Sequence, residues 1–266
     1  MEKIARGMKN KMADEFTENC RYLGLKSLPA NYQASIDKAN KANIGYMEFI
    51  CDIVQKEADD RRERGIKYRL KCSKLPQPHK LLEDFDFPFQ PKLSKKLIMD
   101  LATMEFINRK ESILLIGYCG TGKSHLAQSL GAIACKKGYK VYYTTCAQML
   151  GDLNTGVYEK TLLKRMRKYI NPQLLVIDEM GHDRLELEVT KEAHLLFKVI
   201  DERYKQSKPL IFTTNVQEAE WAEFLGDPIT TKAILDRVFH RSIKVEIYGP
   251  SYREYQGKLL QEKYKK

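Results

Sequence analysis

The sequence predicts an α/β fold, a parallel sheet with helices on both faces, preceded by a small all-helical N-terminal domain. Two observations predict the sheet. Gly117-Tyr118-Cys119-Gly120-Thr121-Gly122-Lys123-Ser124 has phosphate-loop spacing, with an apolar run at 113–116 before it and helically spaced His125, Leu126, Ala127, Leu130 and Ile133 after it. Short apolar runs recur at 140–144, 174–177 and 210–213, separated by stretches of helical periodicity, and this alternation makes a parallel sheet. A third observation predicts the preceding domain: before residue 75 the periodicity is helical throughout.

The elements follow in order. Residues 12 to about 25 read as a helix, with Phe16, Cys20, Leu23 and Leu25 apolar and Gly24 near its end. Pro29 can start a second helix reaching Ala42. A third runs from Gly45 to about Lys74, and its stripe of Tyr46, Phe49, Ile50, Ile53 and Val54 gives way to charge. Pro76 and Pro78 bar a helix, so the linker falls at 74–79 and the domains at 1–75 and 76–266. After Pro91 one helix is expected, with Leu97, Ile98, Leu101, Met104 and Phe106 or Ile107 inward. A single polar helical region spans 147–170, another helix spans 189–206, and Val216 onward reads as helical.

Lys and Arg number 46 against 35 Asp and Glu, a net charge of +11. More than half of that excess lies between Arg61 and Lys74, where seven basic residues face one acid, Glu63. Arg61, Arg62, Arg64, Lys67 and Arg69 are therefore candidate contacts to a polyanion, although such a run can also be only a solvated helix face. The stretch has too few apolar residues to insert into a membrane surface. No apolar run is long enough to span a bilayer, and residues 1–11 do not form a secretory signal. Six scattered cysteines, with no C-x-x-C pair, read as reduced thiols of a cytoplasmic protein.

The chemistry gathers around the loop. Its glycines let backbone N–H groups turn inward around an anion, and the helix N-terminus adds partial positive charge. Lys123 is placed to reach the β- and γ-phosphates, and the Ser124 hydroxyl to ligate Mg²⁺. Asp178-Glu179 ends the third strand at the sheet edge where ligands bind; Asp178 can hold Mg²⁺ through water and Glu179 can polarise an attacking water. Asn215, after the fourth strand, can orient that water or cap the next helix. Lys160, Lys164 and Arg167 or Lys168 share a helical face and suit nucleic-acid phosphates, with a solvated face as the plainer reading. Tyr142, Tyr143 and Tyr158 form no recognisable base-stacking platform, so backbone binding is the expected mode.

From Leu82 to Tyr255 the chain resembles the AAA+ ATPases of the IstB and DnaC type, helpers of insertion-sequence transposition and loaders of replicative helicases. The resemblance rests on Leu82-Glu83-Asp84-Phe85-Asp86, on Gly120 to Ala127 of the loop and its helix, and on Leu175-Val176-Ile177-Asp178-Glu179. It rests also on Thr213-Thr214-Asn215, Leu235-Asp236-Arg237 and Gly249-Pro250-Ser251-Tyr252-Arg253. It implies an ATPase using ATP and Mg²⁺, with Arg237 as the finger a neighbouring subunit inserts toward the γ-phosphate and Arg253 as the cis arginine of the lid. Arg241, one turn from Arg237, is the rival finger. The family usually has two prolines where this chain has Tyr118-Cys119, and Met180-Gly181-His182-Asp183 is only loosely family-like.

The N-terminal helices tilt the resemblance toward the transposition helper, whose implied partners are double-stranded DNA, a transposase and further copies in a ring or spiral. A DnaC-type helicase loader is the alternative. A kinase of a small metabolite, the third reading, is opposed by Asn215, Arg237, Arg253 and the positive charge.

Overall fold

A phosphate-binding turn needs a strand held rigidly behind it, and the computed structural model provides one, paired on both sides, within a five-stranded sheet. Residues 2–180, 189–217, 220, 221, 225 and 227–264 are described. The chain separates into two compact units, Met1–Tyr68 and Arg69–Lys266.

The first unit is helical, as expected: α1 (Glu2–Tyr22), α2 (Leu28–Ala42) and most of α3 (Tyr46–Cys72). α1 starts well before the expected Met12. Phe16 of α1 meets Tyr32 of α2 with ring centroids 5.0 Å apart. The start of α2 has no cap from its own N-cap side chain, Ser27. Glu57 of α3 takes that role, accepting from the backbone N–H groups of Lys26, Ser27 and Leu28 at 3.0, 2.8 and 2.8 Å. Arg64 donates to the same carboxylate at 2.9 Å and to the Ser27 hydroxyl at 2.7 Å. Burial alone would raise the Glu57 carboxyl, but these donors outweigh it and hold it below the usual carboxylate range.

The division between units falls inside α3, ahead of the 75/76 boundary expected from the prolines. The last turn of α3 and the linker are built into the second unit. Arg69 Nε donates to the Cys135 carbonyl at 2.8 Å, the Ser73 carbonyl accepts from Tyr143 N at 2.7 Å, and Leu75 is buried in the core.

In the second unit β1 (Ser112–Gly117), β2 (Val141–Thr145), β3 (Leu174–Met180), β4 (Leu210–Thr214) and β5 (Ser242–Ile247) pair in parallel in the order β2-β3-β4-β1-β5. β5 was not anticipated. Its Ser-Ile-Lys-Val-Glu-Ile alternates because it is an edge strand, and only Val245 and Ile247 are buried. The two faces of β1 feed two cores. Ile113 and Leu115 pack with α4 (Lys95–Leu101), α5 (Glu105–Asn108) and α6 (Lys123–Lys136). Leu114 and Ile116 pack with α7 (Cys146–Tyr158), α8 (Leu162–Ile170), α9 (Val189–Lys205) and α10 (Pro228–Phe239). α11 (Tyr252–Tyr264) follows β5. No helix among the described residues is long and apolar enough to cross a membrane.

Two expected single helices are each two. After Pro91 the chain turns at Met104, which takes a left-handed φ of 68° between α4 and α5. Burying Met104, Phe106 and Ile107 together is impossible on one helical stripe, since residues two apart face different ways. The region 147–170 breaks at Lys160, with a φ of 56°, and α8 folds back on α7. Asp152 of α7 draws the turn closed by accepting from Arg165 and Tyr169 and pairing with Lys168, all of α8.

At the opposite edge of the sheet from the loop, fully buried Arg203 donates to the carbonyls of Tyr169, Pro172 and Pro209 at 2.8, 3.0 and 2.6 Å. Burial pulls its guanidinium down to about 9.

Removing the Glu57 carboxylate leaves three N–H groups without their partner. Glu57→Ala in the full chain should cost about 2 kcal/mol and abolish hydrogen-exchange protection of the amides of residues 26–28. Because the folded carboxyl value is lowered, the unfolded chain binds more protons in acid, so this stabilisation is complete above about pH 4.3 and is lost as pH falls through the folded value. Protection of those amides in the parent should fall in step.

Candidate active site

The phosphate loop connects β1 to α6, and its geometry needs glycine at two places for different reasons. Gly122 has φ 98°, and a Cβ there would stand 2.5 Å from the Phe85 ring. A Cβ on Gly117 would lie 2.0 Å from the Ile247 carbonyl of β5. The loop is thus clasped by the segment around Phe85 and by the end of β5. The start of α11 adds a third clasp, with Tyr252 N donating to the Gly120 carbonyl at 3.0 Å.

Lys123 opens α6 and is buried, its Nζ donating to the Gly117 and Tyr118 carbonyls at 2.7 Å each. Burial pulls its ammonium below the ordinary lysine value, with Arg253 adding to that and Cys119 and Asp178 opposing it. Ser124 Oγ donates to Asp178 Oδ1 at 2.9 Å. Asp178 is buried; Thr213 Oγ1 and Glu179 N donate to the same oxygen, and the Tyr143 hydroxyl donates to Oδ2 at 2.5 Å. Burial first, then the Asp178 charge, pushes the Tyr143 phenol far up, so it remains a donor.

Glu179 takes a left-handed φ of 59° where the β3–β4 register slips between Ile177 and Met180. That bulge turns its N–H onto Thr213 Oγ1 at 2.9 Å, while Glu179 itself is exposed and lines the cavity in front of the loop. The cavity is about 570 Å³ and takes in the loop from Cys119 to His125, Asn215 and Arg253. Asn215 Nδ2 lies 3.6 Å from Cys119 Sγ; the helix that Asn215 was expected to cap falls in 216–226, much of which lies outside the described residues. Gly181, His182 and Asp183 also lie outside them.

Phe89 and Gln90, which the sequence reading does not single out, line the same cavity beside Tyr252. Phe89 and Tyr252 meet edge to face at 5.0 Å, and Gln90 Nε2 holds the Pro250 carbonyl at 2.8 Å. His125 donates from its ring toward the Leu81 carbonyl at 2.6 Å and meets Phe85 edge to face, so it braces the loop helix. Ser124 Oγ with Asp178 offers hard oxygen donors beside the loop, the type Mg²⁺ prefers, so these residues fit that ion.

Arg237 lies in the last turn of α10 and is engaged within its own chain. Its Nε pairs with Asp201 of α9 at 2.7 Å, Nη1 donates to the Ala233 carbonyl at 3.0 Å, and the guanidinium lies 4.8 Å from the Phe197 ring centroid. Arg241 is exposed.

Among the basic candidates, Arg64 is committed to Glu57 and Ser27, and Arg69 to the Cys135 carbonyl. Arg61, Arg62 and Lys67 are exposed, the last two in surface pairs with Asp59 and Glu63. Lys160, Lys164 and Arg167 are exposed along one groove with Leu163, but they do not share the expected helical face, because Lys160 sits in the turn before α8 and only the other two lie on that helix; Lys168 pairs with Asp152.

The model of a family described as IstB-like ATP binding protein matches residues 18–259. A Geobacillus stearothermophilus protein named for ATP binding in insertion sequence IS5376 is 38% identical over 96% of this chain and 99% of its own. Its counterpart from insertion sequence IS21 of Pseudomonas aeruginosa is 35% identical over 87% of this chain and 85% of its own. Among solved structures, AMPPCP-bound DnaA from Aquifex aeolicus aligns with a TM-score of 0.54 at 22% identity, over 66% of this chain and 51% of that one. The DnaC helicase loader aligns at 0.50 and 22% over 63% and 96%. The fold of the second unit is therefore AAA+.

Lys123→Ala should weaken binding of a fluorescent ATP analogue roughly 100-fold, because it removes a charged donor worth about 3 kcal/mol from an enclosed site. Equal affinity in a direct titration would mean the loop holds no nucleotide phosphate.

Proposed function

The chain belongs to the IstB-like ATP binding protein family, and we propose on that premise that it is an ATP-dependent, DNA-binding helper of transposition. It assembles on double-stranded DNA, recruits or activates a transposase, and hydrolyses ATP between subunits. The observation that carries this reading is the convergence of Lys123, Ser124, Glu179 and Arg253 on one cavity, with Asp178 directly behind Ser124. The names of relatives that span the N-terminal helices support transposition, whereas the likeness to the helicase loader is one of fold.

On this reading the loop N–H groups and the α6 N-terminus receive the phosphates. Lys123 leaves the Gly117 and Tyr118 carbonyls for phosphate oxygens. Ser124 and Asp178 would hold Mg²⁺, which would supply charge neutralisation at the phosphates. Glu179 takes the proton of the attacking water and Asn215 orients that water. Phe89 and Tyr252 offer aromatic surfaces for a flat base. Arg253 contacts the nucleotide in cis, and Arg237 reaches it from the neighbouring subunit. Arg61, Arg62 and Lys67, and separately Lys160, Lys164 and Arg167, contact DNA phosphates without reading sequence.

Glu179→Gln should keep nucleotide affinity while slowing hydrolysis at least about 100-fold, because an amide cannot accept the proton. A steady-state phosphate-release assay beside a binding titration separates the two effects.

The assembly claim is tested by size-exclusion chromatography with and without ATP, Mg²⁺ and duplex DNA, where all three together should give the largest species. Specific activity should rise with protein concentration. Mixing Arg237→Ala with Lys123→Ala chains should restore turnover, since one interface in the mixture joins an intact loop to an intact arginine. Turnover strictly proportional to concentration, with no rescue on mixing, would mean a monomeric ATPase.

A further inference from the structure

β2 brings no expected catalytic residue to the site, yet it places a hydroxyl on the buried carboxylate. Successive tyrosines of β2 face opposite ways. Tyr142 meets Tyr169 of α8 edge to face at 5.5 Å, while Tyr143 belongs to the core beneath α6. Tyr143 is only 8% exposed, and its backbone is tied to Ser73 at 2.7 Å, so ring and hydroxyl have little freedom. The hydroxyl donates to Asp178 Oδ2 at 2.5 Å, and Gln128 Nε2 of α6 approaches the same hydroxyl at 3.5 Å.

The two oxygens of Asp178 are treated differently. Oδ1 accepts from Ser124, Thr213 and Glu179 N, all groups that belong to the nucleotide site or its walls. Oδ2 accepts from Tyr143, on the side of a second cavity of about 580 Å³ that Tyr143, Gln128 and Asp178 all line. The terminal torsion of an aspartate is broad and roughly two-fold, so the carboxylate plane has no strong orientation of its own. Ser124 cannot fix it, because its hydroxyl is the group expected to exchange Asp178 for a metal ion; Thr213 and Glu179 N both hold Oδ1, so the position of Oδ2 rests on Tyr143.

We propose that Tyr143 is a positioning residue: its hydroxyl pins Oδ2, so that Oδ1 faces Ser124 and any divalent cation held beside it. This rests on the reading of the loop as a nucleotide site. It assigns to β2 a part in cation binding that the phosphate-loop pattern does not contain.

The test is Tyr143→Phe, which keeps the ring that packs in the core and removes the hydroxyl. A fluorescent ATP analogue is titrated first in EDTA and then against rising Mg²⁺, for parent and variant. The inference expects metal-free affinity within about twofold of the parent and a Mg²⁺ midpoint raised about tenfold, the usual cost of removing a group that orients a metal ligand. An unchanged Mg²⁺ midpoint would overturn it. So would an equal loss with and without Mg²⁺, which marks a packing role. If the parent itself shows no Mg²⁺-dependent binding, the reading of the site fails and the inference falls with it.

Discussion

A single buried negative charge, the Asp178 carboxylate, determines how the carboxyl edge of the sheet is assembled. A carboxylate that is 1% exposed is costly unless donors surround it. Here they come from four different elements: the first turn of α6, β2, β4, and the bulge of β3 itself. The order β2-β3-β4-β1 puts a neighbour on each side of β3 and the phosphate loop one strand further along. A slip of one residue in either pairing would turn Tyr143 or Thr213 to the opposite face and strand the charge. Register, loop placement and the exposed stance of Glu179 therefore share one cause.

The amino edge solves the converse problem with a cation. Arg203 has no acid beside it among its described contacts; its two terminal nitrogens donate to carbonyls at the end of α8 and on the approaches to β3 and β4. Lys208 adds a contact to the Ile170 carbonyl at 2.9 Å. Both cations answer the negative end of α8. The sheet is thus anchored at one edge by a carboxylate collecting donors and at the other by a guanidinium collecting acceptors.

Much of this was legible in the sequence. The loop, the runs that became β1 to β4, Asp178 and Glu179 are all local patterns, and local patterns survive without tertiary knowledge. β5 was missed because an edge strand alternates and its apolar content is low. The turns at Met104 and Lys160 were missed because each is set by partners elsewhere, a shared core in one case and Asp152 in the other. Tyr143, Glu57 and Asp201 were unreadable for one reason: each matters through a residue distant in the chain. The same holds in reverse for Arg64 and Arg69, which looked free in a basic run and are held by Glu57 and the Cys135 carbonyl.

Asp201 has a consequence for the proposed exchange of arginines between subunits. It is 15% exposed and holds two cations at once, Arg237 at 2.7 Å and Lys205 at 2.6 Å. An arginine that left a sole counter-ion would abandon a poorly solvated anion, and the protein would resist the departure. With Lys205 in attendance the aspartate stays neutralised whichever way Arg237 turns. Under that proposal the pair would serve as a parking place rather than a lock, from which the side chain could be lent to a neighbour while Lys205 keeps Asp201 company.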